Sequence, residues 1–331
     1  MERVLLWLLI AGARGLEASW RAVATPVQPS PRSGSTAAAA SESSVFLFGG
    51  YEEDDSGGRR VVDDLWRYDA GAGWTLVSGG GAGGPGPRLC SALACVGGEV
   101  FLFGGWDPET AGTGGSILDD VWVYDTAADS WAACAPVPGG PVSRHACCAL
   151  DGGEILVHTH RCAESVLVFD SAKRSWREQP TSGAAPSPRG LHVAARVEGG
   201  VVVFGGAAQS GEMCGDGYFL DTASWAWRKL AALGPAPRAG AAAAALAGGG
   251  EVVLVGGAAR GGDGGLDPQS DVWVLDVRGD AWTKVEAGGA ALAPRNAHVL
   301  LPTGPTTFVL HGGWHPFVRT FDDTLELDIA P

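Results

Sequence analysis

Histidine and cysteine side chains concentrate in one stretch of the sequence, where they could bind a metal ion. His158, His160 and Cys162 alternate along the chain, so a strand would present all three on one side. Imidazole and thiolate are ligands that zinc and other transition metals accept. The preceding segment adds further candidates at His145, Cys147 and Cys148. A metal site at His158, His160 and Cys162 is therefore one hypothesis for this stretch.

The cysteines show no metal or disulfide pattern over the whole chain. There are seven of them, and their spacings fit neither a disulfide framework nor a structural zinc site. Most lie in apolar runs, so we expect buried free thiols. The sequence also lacks a P-loop, a nucleophile elbow and a dinucleotide-binding fingerprint in a strand–helix context. None of these enzyme classes is indicated.

The elements that position these residues follow from an internal repeat of about fifty residues. Hydrophobic runs that end in a glycine pair recur at 45–50, 100–105, 201–206, 252–257 and 308–313, and a degenerate copy, ILVHTH, stands at 155–160. In this alignment His158 takes the place of Phe103 and of His311, so a histidine there does not require a metal. We therefore favour a divergent repeat without a bound metal over the His/Cys site.

Each unit carries three further marks, namely an Arg before the glycine pair, an Asp after an alternating run, and a later Trp. The Asp residues are Asp69, Asp125, Asp170, Asp221, Asp276 and Asp328, and the Trp residues are Trp74, Trp131, Trp176, Trp227 and Trp282. The sixth unit ends before its Trp, but Trp20 stands ahead of the first Arg. We predict that the N-terminal segment supplies the outer strand of the last unit, which closes the ring and pairs its open edge.

The glycine pair, the later aromatic residue, the Asp and Trp, and the preceding Pro-Arg resemble the kelch repeat. The long units and the P-x-P-R segment are similar to those of the Rab9-effector and nitrile-specifier branch. The resemblance covers residues 16–331 as one domain and leaves residues 1–15 as a separate N-terminal segment. It implies an all-β fold, a six-bladed β-propeller with four-stranded blades that is closed by the N-terminal strand. Such a resemblance is specific for the fold and nearly silent on function.

Two enzyme chemistries enter through this resemblance as alternatives. Nitrile-specifier proteins hold Fe2+ with Glu, Asp and His spaced by four; here Glu212 and Asp216 have the spacing, but Leu220 stands where the His is needed. The central domain of galactose oxidase is a kelch propeller, but its copper site needs two Tyr, and three of the four tyrosines here are repeat residues: Tyr68, Tyr124 and Tyr218. We expect no cofactor and no enzyme activity. An Fe2+-dependent specifier-type enzyme, acting on a small molecule at the channel mouth, is the alternative.

The connections between strands predict which face of the disc carries the functional surface. Because successive strands alternate in direction, the long connections between second and third strands share one face with the connections between consecutive blades. The long connections are 51–63, 106–119, 207–216, 258–270 and 314–323. A rigid disc with variable loops on one face is typical of a recognition surface. We therefore predict a protein- or peptide-binding module that uses this loop-rich face.

Arginine and tryptophan are favoured anchors in protein interfaces, and both types occur in these connections. The candidate binding residues are the arginines of the six Pro-Arg segments, placed near the axis, and two tryptophans that follow glycine pairs: Arg32, Arg88, Arg144, Arg189, Arg238, Arg295, Trp106 and Trp314. The alternative for each arginine is a structural role, with hydrogen bonds to carbonyl groups of neighbouring blades.

The formal net charge of −14 at pH 7 argues against nucleic acid and anionic membranes as partners, because both attract a basic surface. Residues 1–15 resemble a weak secretory signal as well as a strand segment. No other segment has the length and apolarity of a transmembrane helix. We expect a cytoplasmic monomer that binds a protein, with the secretory pathway as the alternative.

Overall fold

The computed structural model describes residues 15–54, 56–110, 114–231, 233–262 and 264–330, so the predicted N-terminal segment 1–15 lies outside them except for Gly15. Within these ranges the chain forms a six-bladed β-propeller, and each blade is an antiparallel sheet of four main strands. The innermost strands contact one another in cyclic order around a central axis. The predicted fold is therefore confirmed.

From the axis outward, the strands follow chain order in blades 1 to 5, and in blade 6 the N-terminal strand takes the outermost place. Blades 1 and 2 consist of Thr36–Ala39, Ser44–Glu53, Arg59–Asp69 and Gly73–Ser78, and of Ala92–Val96, Glu99–Asp107, Ser116–Asp125 and Ser130–Cys134. Blades 3 and 4 consist of Ala146–Ala149, Glu154–His158, Ser165–Asp170 and Ser175–Pro180, and of Val193–Val197, Gly200–Phe204, Gly217–Asp221 and Ala226–Lys229. Blades 5 and 6 consist of Ala242–Ala245, Glu251–Val255, Val272–Asp276 and Ala281–Val285, and of Val299–Pro302, Thr307–His311, Thr324–Ala330 and Glu17–Ala22.

Shorter elements flank these sheets. Arg32–Ser33 pairs with the second strand of blade 1, and two segments run parallel to the outermost strands of blades 4 and 6, namely Ser182–Gly183 and Ala287–Gly289. A 3-10 turn, Asp151–Gly153, joins the first two strands of blade 3. Small hairpins extend the loops of blades 5 and 6, with strands Ala258–Arg260 and Leu266–Pro268, and Trp314–His315 and Arg319–Thr320.

The N-terminal strand closes the ring as predicted. Glu17–Ala22 is antiparallel to Thr324–Ala330, with Trp20 opposite Leu327, just as Trp131 lies opposite Tyr124 in blade 2. Trp20 is 4% exposed and packs in a core that includes Val253 and Val255 of blade 5. Trp20 therefore packs the sheet in which the N-terminal and C-terminal strands meet, blade 6, against blade 5.

The repeated tryptophans act between blades. Trp131 of blade 2 lies 5.8 Å from Phe48 of blade 1, measured between ring centroids. The same contact recurs around the disc in the pairs Trp176 and Phe103, Trp227 and His158, Trp282 and Phe204, and Trp74 and His311. Each blade is thus fastened to the previous one by a ring that packs on its second strand, which explains why Trp recurs at this position.

The repeated Asp residues cap the turns between third and fourth strands. The Oδ1 atom of Asp125 accepts hydrogen bonds from the amides of Ala127 and Ala128 at 2.8 and 3.0 Å. Asp170, Asp221 and Asp276 do the same in their own turns. These Asx turns keep the connections on the opposite face short.

The long connections and the inter-blade connections share one face, as predicted. Backbone bridges join them directly, from Leu89 to Trp106, Gly190 to Ala207, Ala239 to Ala258 and Asn296 to Trp314. The prediction of loops at 51–63 and 106–119 was wrong in part, because the second and third strands of blades 1 and 2 continue into projecting hairpins. In blade 1 the ion pairs of Arg59 with Glu53 and of Arg60 with Glu52 connect the two hairpin strands, and such cross-strand pairs stabilise a polar ribbon.

Among the described residues, no helix has the length and apolarity that crossing a membrane requires.

Candidate functional site

Five of the six candidate arginines are buried inside the blades. Arg32, Arg88, Arg189, Arg238 and Arg295 are each at most 2% exposed. Their guanidinium groups pair with an Asp of the same blade that stands five residues before the repeat Asp of the third strand, at N–O distances of 2.5–2.7 Å. These partners are Asp64, Asp120, Asp216, Asp271 and Asp323.

Arg238 illustrates the geometry. Its Nη1 and Nη2 atoms donate to the two carboxylate oxygens of Asp271 at 2.6 and 3.0 Å, and Nη1 also donates to the carbonyl of Gly256 at 2.9 Å. Nε donates to the carbonyl of Ala236 at 3.0 Å, and Asp271 accepts a further bond from Trp273 Nε1 at 2.8 Å. Burial raises the pKa of Asp271, but the hydrogen bonds and the charge of Arg238 outweigh this effect and lower the pKa overall. These hydrogen bonds therefore fasten the inter-blade segment that carries Arg238 to the end of blade 5 at the loop-rich face.

The glycine pair leaves room for the next blade. At Gly49, which has a φ of +62°, a Cβ atom would lie 2.7 Å from the carbonyl oxygen of Arg88. The amide of Gly50 donates to that same carbonyl at 3.0 Å. Only glycine allows both the left-handed backbone and this close approach. The pair therefore serves contact between blades at the loop-rich face.

Arg144 does not belong to this buried set, and its predicted equivalence with the other five was wrong. The amide of Gly105 donates to the carbonyl of Val142, so Val142 occupies the position that Arg88 has for Gly50. Ser165 begins the third strand of blade 3, five residues before Asp170, where the other blades have the paired Asp. Blade 3 thus lacks the glycine pair, the buried arginine and its carboxylate together.

Arg144 instead belongs to a ring of backbone hydrogen bonds around the axis. Six residues, one from each inter-blade segment, donate their amide to the carbonyl of the ring member in the preceding segment at 2.8–2.9 Å. All six have a φ between +53° and +67°. They are Gly34, Cys90, Arg144, Leu191, Gly240 and Ala297. Arg144 is the one charged member, so the ring places a single cation at the axial mouth of the loop-rich face.

The Arg144 side chain is exposed and lies over Trp106, with its guanidinium carbon 5.6 Å from the ring centroid. Such stacking favours a cation over an aromatic face. Trp314, the second candidate tryptophan, is half-buried and contacts Phe317 at a centroid distance of 6.1 Å. The structure therefore brings Arg144 and Trp106 together, and it places Trp314 apart from them on the projecting hairpin of blade 6.

The His and Cys candidates of blade 3 point to different surroundings. Nδ1 of His158 and Nε2 of His192 are 3.0 Å apart in the interface with blade 4, whereas His160 is exposed. The Cys162 sulfur accepts a bond from the amide of Thr159 at 3.2 Å. Burial lowers the pKa of His158 to about 3, so its ring is neutral. Among the described residues, no three His, Cys, Asp or Glu side chains are arranged to hold a metal ion.

The two carboxylates of the iron alternative have separate roles. Asp216 pairs with Arg189 at 2.7 Å and accepts a hydrogen bond from the Tyr218 hydroxyl at 2.7 Å. Glu212 is exposed in the blade 4 loop, where its carbonyl accepts the amide of Ala208 at 2.9 Å. Asp216 thus carries the structural contacts of its equivalents in the other blades. The Fe2+-dependent alternative stays a prediction.

A central cavity of about 400 Å3 runs between the innermost strands. Its walls are mainly small and apolar side chains, with the thiols of Cys95 and Cys147 among them. Burial raises the pKa of the Cys95 thiol to about 12 and that of Cys147 well above its usual value. Both thiols are therefore protonated at neutral pH, which makes them poor nucleophiles.

Sequence reasoning missed the axial ring, which depends on backbone conformation. Two of its members are glycine, which is the usual residue at a positive φ, but the other four are Cys, Arg, Leu and Ala. The position two residues after the buried Arg was the available signal. It fails in blade 3, where the motif arginine itself occupies the ring position.

Comparisons with known proteins agree with this architecture. The family model described as the KLHDC2/KLHL20/DRC7 Kelch-repeats domain matches residues 16–163 and 150–331. A solved structure titled "Structure of YjhT" superposes with a TM-score of 0.72 at 18% identity, over 93% of this chain and 99% of that chain.

Curated relatives share the repeats at lower coverage of their own length. Acyl-CoA-binding domain-containing protein 4 of Arabidopsis thaliana is 26% identical over 69% of this chain and 35% of the relative. Host cell factor 1 of Homo sapiens is 26% identical over 74% of this chain and 13% of the relative. Adagio-like protein 3 of Oryza sativa subsp. japonica is 35% identical over 42% of this chain and 25% of the relative. The chain thus spans about a third or less of these relatives. By its blades and the family model alike, it belongs to the kelch-repeat family, in the KLHDC2/KLHL20/DRC7 group.

Proposed function

We propose that this propeller is a protein- or peptide-binding module that uses its loop-rich face as the contact surface. One observation carries the proposal. Among the residues that the structure describes, seven large apolar side chains are strongly exposed. Six of them lie in the long hairpins or the inter-blade connections of this face, and the seventh, Leu76, lies on an outermost strand. The six are Val27, Ile117, Leu233, Leu266, Phe317 and Val318.

The tip of the blade 6 hairpin is the most prominent of these positions. Phe317 is 97% exposed and Val318 is 71% exposed. Phe317 also has a φ of +59°, a conformation that costs an L-residue about 1–2 kcal/mol. Strained residues of this kind concentrate where a protein contacts a ligand. A bulky apolar side chain held in water on a strained turn favours a hydrophobic pocket in a partner as its binding site.

The experiment uses the full chain as bait in an affinity pull-down with quantitative mass spectrometry. The variant Phe317→Gly/Val318→Ser removes the apolar tip and suits the left-handed turn. The matched control, Leu76→Ser, removes a side chain that is 47% exposed from the outer edge of blade 1. Partners that bind the wild type and the control but not the tip variant support the proposal. Partners that remain with the tip variant, or that leave equally with Leu76→Ser, contradict it.

A further inference from the structure

The outermost strand of each blade has an outer edge where another strand could pair, and proteins protect such edges by covering them, bulging them or placing charges on them. The outermost strands of blades 4 and 6 are covered by the parallel segments Ser182–Gly183 and Ala287–Gly289. The outermost strand of blade 1 contains a bulge. Those of blades 3 and 5 carry exposed charged residues, among them Glu178 and Lys284. Five of the six edges are therefore protected.

The edge of blade 2 has none of these protections. Its outermost strand, Ser130–Cys134, pairs with the third strand without a register shift and contains no charged residue. Ala132 and Ala133 are exposed on it. In the described part of the chain, no segment pairs with its outer side. This strand is therefore open to the addition of a further strand.

The covering segment of blade 4 shows what such an addition requires. The amides of Ser182 and Ala184 donate to the carbonyls of Trp225 and Trp227 at 3.0 and 3.2 Å. Gly183 lies between them with a φ of +78°, and a Cβ atom there would be 2.3 Å from the carbonyl oxygen of Trp227. A side chain does not fit at this distance, so the residue opposite the Trp must be glycine.

Blade 6 repeats this arrangement on the N-terminal strand. A Cβ atom on Gly289, whose φ is +81°, would lie 2.2 Å from the carbonyl oxygen of Trp20. The amide of the next residue, Ala290, donates to that oxygen at 2.8 Å. In both blades, therefore, the covering element is a parallel Gly-Ala segment with its glycine opposite the repeat Trp.

Blade 2 presents the same acceptors without the covering segment. Trp131 has the register in its sheet that Trp227 has in blade 4. Asp129 has a φ of +52°, and its equivalent Trp225 has a φ of +54°. The carbonyls of Asp129 and Trp131 therefore face outward, as those of Trp225 and Trp227 do.

The chain's own connection, residues 79–87, passes this edge without pairing to it. The amide of Gly81 donates to Oδ2 of Asp63 in blade 1 at 2.9 Å, which holds the connection towards that blade. Gly84 lies against the side chain of Trp131, since a Cβ atom there would be 3.0 Å from Cδ1 of the indole. Between the connection and the outermost strand of blade 2 lies a groove of about 390 Å3. We call it the rim groove.

The charge of the rim groove selects a basic occupant. The carboxylates of Asp63 and Asp129 both line it, and Asp129 accepts a hydrogen bond from the Tyr124 hydroxyl. Among the described residues, no lysine or arginine nitrogen lies within 4 Å of either carboxylate. Cations on an added segment would pair with these two groups.

We propose that the rim groove binds an extended basic segment of a partner protein, which adds to blade 2 as a parallel fifth strand. Its backbone amides donate to the carbonyls of Asp129 and Trp131, and a glycine lies opposite Trp131. Lysine or arginine on either side of that glycine pairs with Asp63 and Asp129. In such strand addition the backbone hydrogen bonds supply affinity and the side chains supply specificity. This site lies at the periphery of the disc and is separate from the apolar tip of blade 6.

The test measures fluorescence anisotropy of the labelled peptide Thr-Lys-Ser-Gly-Ala-Lys-Thr with the full chain. The buffer contains 150 mM NaCl, where the screening length is about 8 Å, so that the net charge of −14 is damped. The control peptide has N-methylalanine in place of Ala and keeps the same charge. It lacks the amide hydrogen that would bond to the Trp131 carbonyl, so we expect it to bind about tenfold more weakly. Equal binding of the two peptides overturns strand addition.

Protein variants test the two carboxylates. Asp129→Asn suits the left-handed backbone at this position, and Asp63→Asn keeps an oxygen for the amide of Gly81. Each should weaken peptide binding about two- to fivefold with an unchanged urea midpoint. The matched control Asp151→Asn removes a carboxylate that is 95% exposed on the face opposite the long loops and should leave binding unchanged. Equal weakening by Asp151→Asn would show attraction to net charge alone and overturn the site.

Amide hydrogen exchange locates the bound peptide. Exchange within residues 130–134 should slow when the peptide is added, because the outward amides of this strand then have partners. Unchanged exchange there overturns the proposal. The variant Phe317→Gly/Val318→Ser should bind the peptide as the wild type does, so failure of the rim groove and failure of the loop-rich face are distinguishable. Loss of the peptide in that variant would place it on the loop-rich face and overturn the rim groove.

Discussion

The buried pair of Arg238 and Asp271 provides a stringent test of how the blades are held together. Arg238 is 2% exposed and makes four hydrogen bonds, two of them to Asp271. Removal of one partner from a buried ion pair costs about 3–5 kcal/mol, because the other charge is left without compensation. The Asp271 side chain is 16% exposed, so water can partly solvate it when the arginine is missing. We therefore expect Arg238→Met to destabilise the protein by about 3 kcal/mol and Asp271→Ser by about 4 kcal/mol, both within the lower half of that range.

Blade 3 indicates the result for the double variant. It has Val142 and Ser165 at these two positions, and Val142 is fully buried, so a blade without either charge folds. Replacement of a buried ion pair by apolar groups is often nearly neutral. The variant Arg238→Met/Asp271→Ser should therefore cost several kcal/mol less than its two single changes together.

The assay is urea unfolding followed by tryptophan fluorescence, repeated as thermal unfolding. For a chain of this size 1 kcal/mol shifts Tm by about 1.4 °C, so each single variant should lose about 4–6 °C. Arg278→Met, which removes an exposed pair with Glu198, should change stability by less than about 1 kcal/mol. Single variants no worse than Arg278→Met, or a double variant that costs the full sum, would refute the structural role of the pair.

Three further outcomes follow from the same contacts. Trp20→Ala should destabilise the propeller by about 3–5 kcal/mol, as much as Trp282→Ala in the same urea assay, since both close an inter-blade contact; a small loss for Trp20 alone would contradict ring closure. Stability should fall as pH drops below about 6.5, where histidines in the unfolded chain gain protons while the buried ones stay neutral, by about 1.4 kcal/mol per unit for each histidine; urea midpoints at pH 7.5, 6 and 5 measure this, and equal midpoints would contradict it. Burial lowers the pKa of His145 to about 4 and those of His158, His298 and His311 to about 3. Burial raises the pKa of Cys148 to about 12, so iodoacetamide at pH 7.5 should label this thiol only after unfolding in urea. Rapid labelling of Cys148 in the native protein, read by peptide mass spectrometry, would contradict its burial.

The fold was predictable because its signals are repeated and mutually consistent. The glycine pair, the turn Asp and the inter-blade Trp each have one physical role, and every role recurs in most blades. Closure was predictable from Trp20 for the same reason, since the last blade lacks the one residue that the N-terminus supplies. The shared face of the long connections followed from strand alternation alone.

The candidate site was less predictable, because neighbouring arginines in similar motifs have opposite environments. Arg88 and Arg144 both follow a proline by a short interval, yet the first is buried and the second is exposed. The hydrogen bond from Gly105 to Val142 fixes the register, and no local sequence pattern reports it. The hairpin at 51–63 was missed for a related reason, since its polar residues are typical of a loop until Arg59 and Arg60 pair across the strands.

The divergence of blade 3 bears on how a nearly sixfold disc can bind one partner in one orientation. In the other five blades the motif arginine pairs with a carboxylate of the same blade, so this repeated charge is hidden from the loop-rich face. Blade 3 has Val142 in that buried position, and its arginine lies two residues further on, where the left-handed ring directs it outward. The same blade lacks the glycine pair, and its connection contributes Arg161 instead. Together with the apolar tip of blade 6, these changes break the rotational symmetry of the loop-rich face at two separate places. Two unlike contacts at fixed positions are sufficient to define an orientation. Under the proposed binding function, the loss of the consensus in blade 3 therefore supplies one of the two contacts that would fix how a partner docks on the disc.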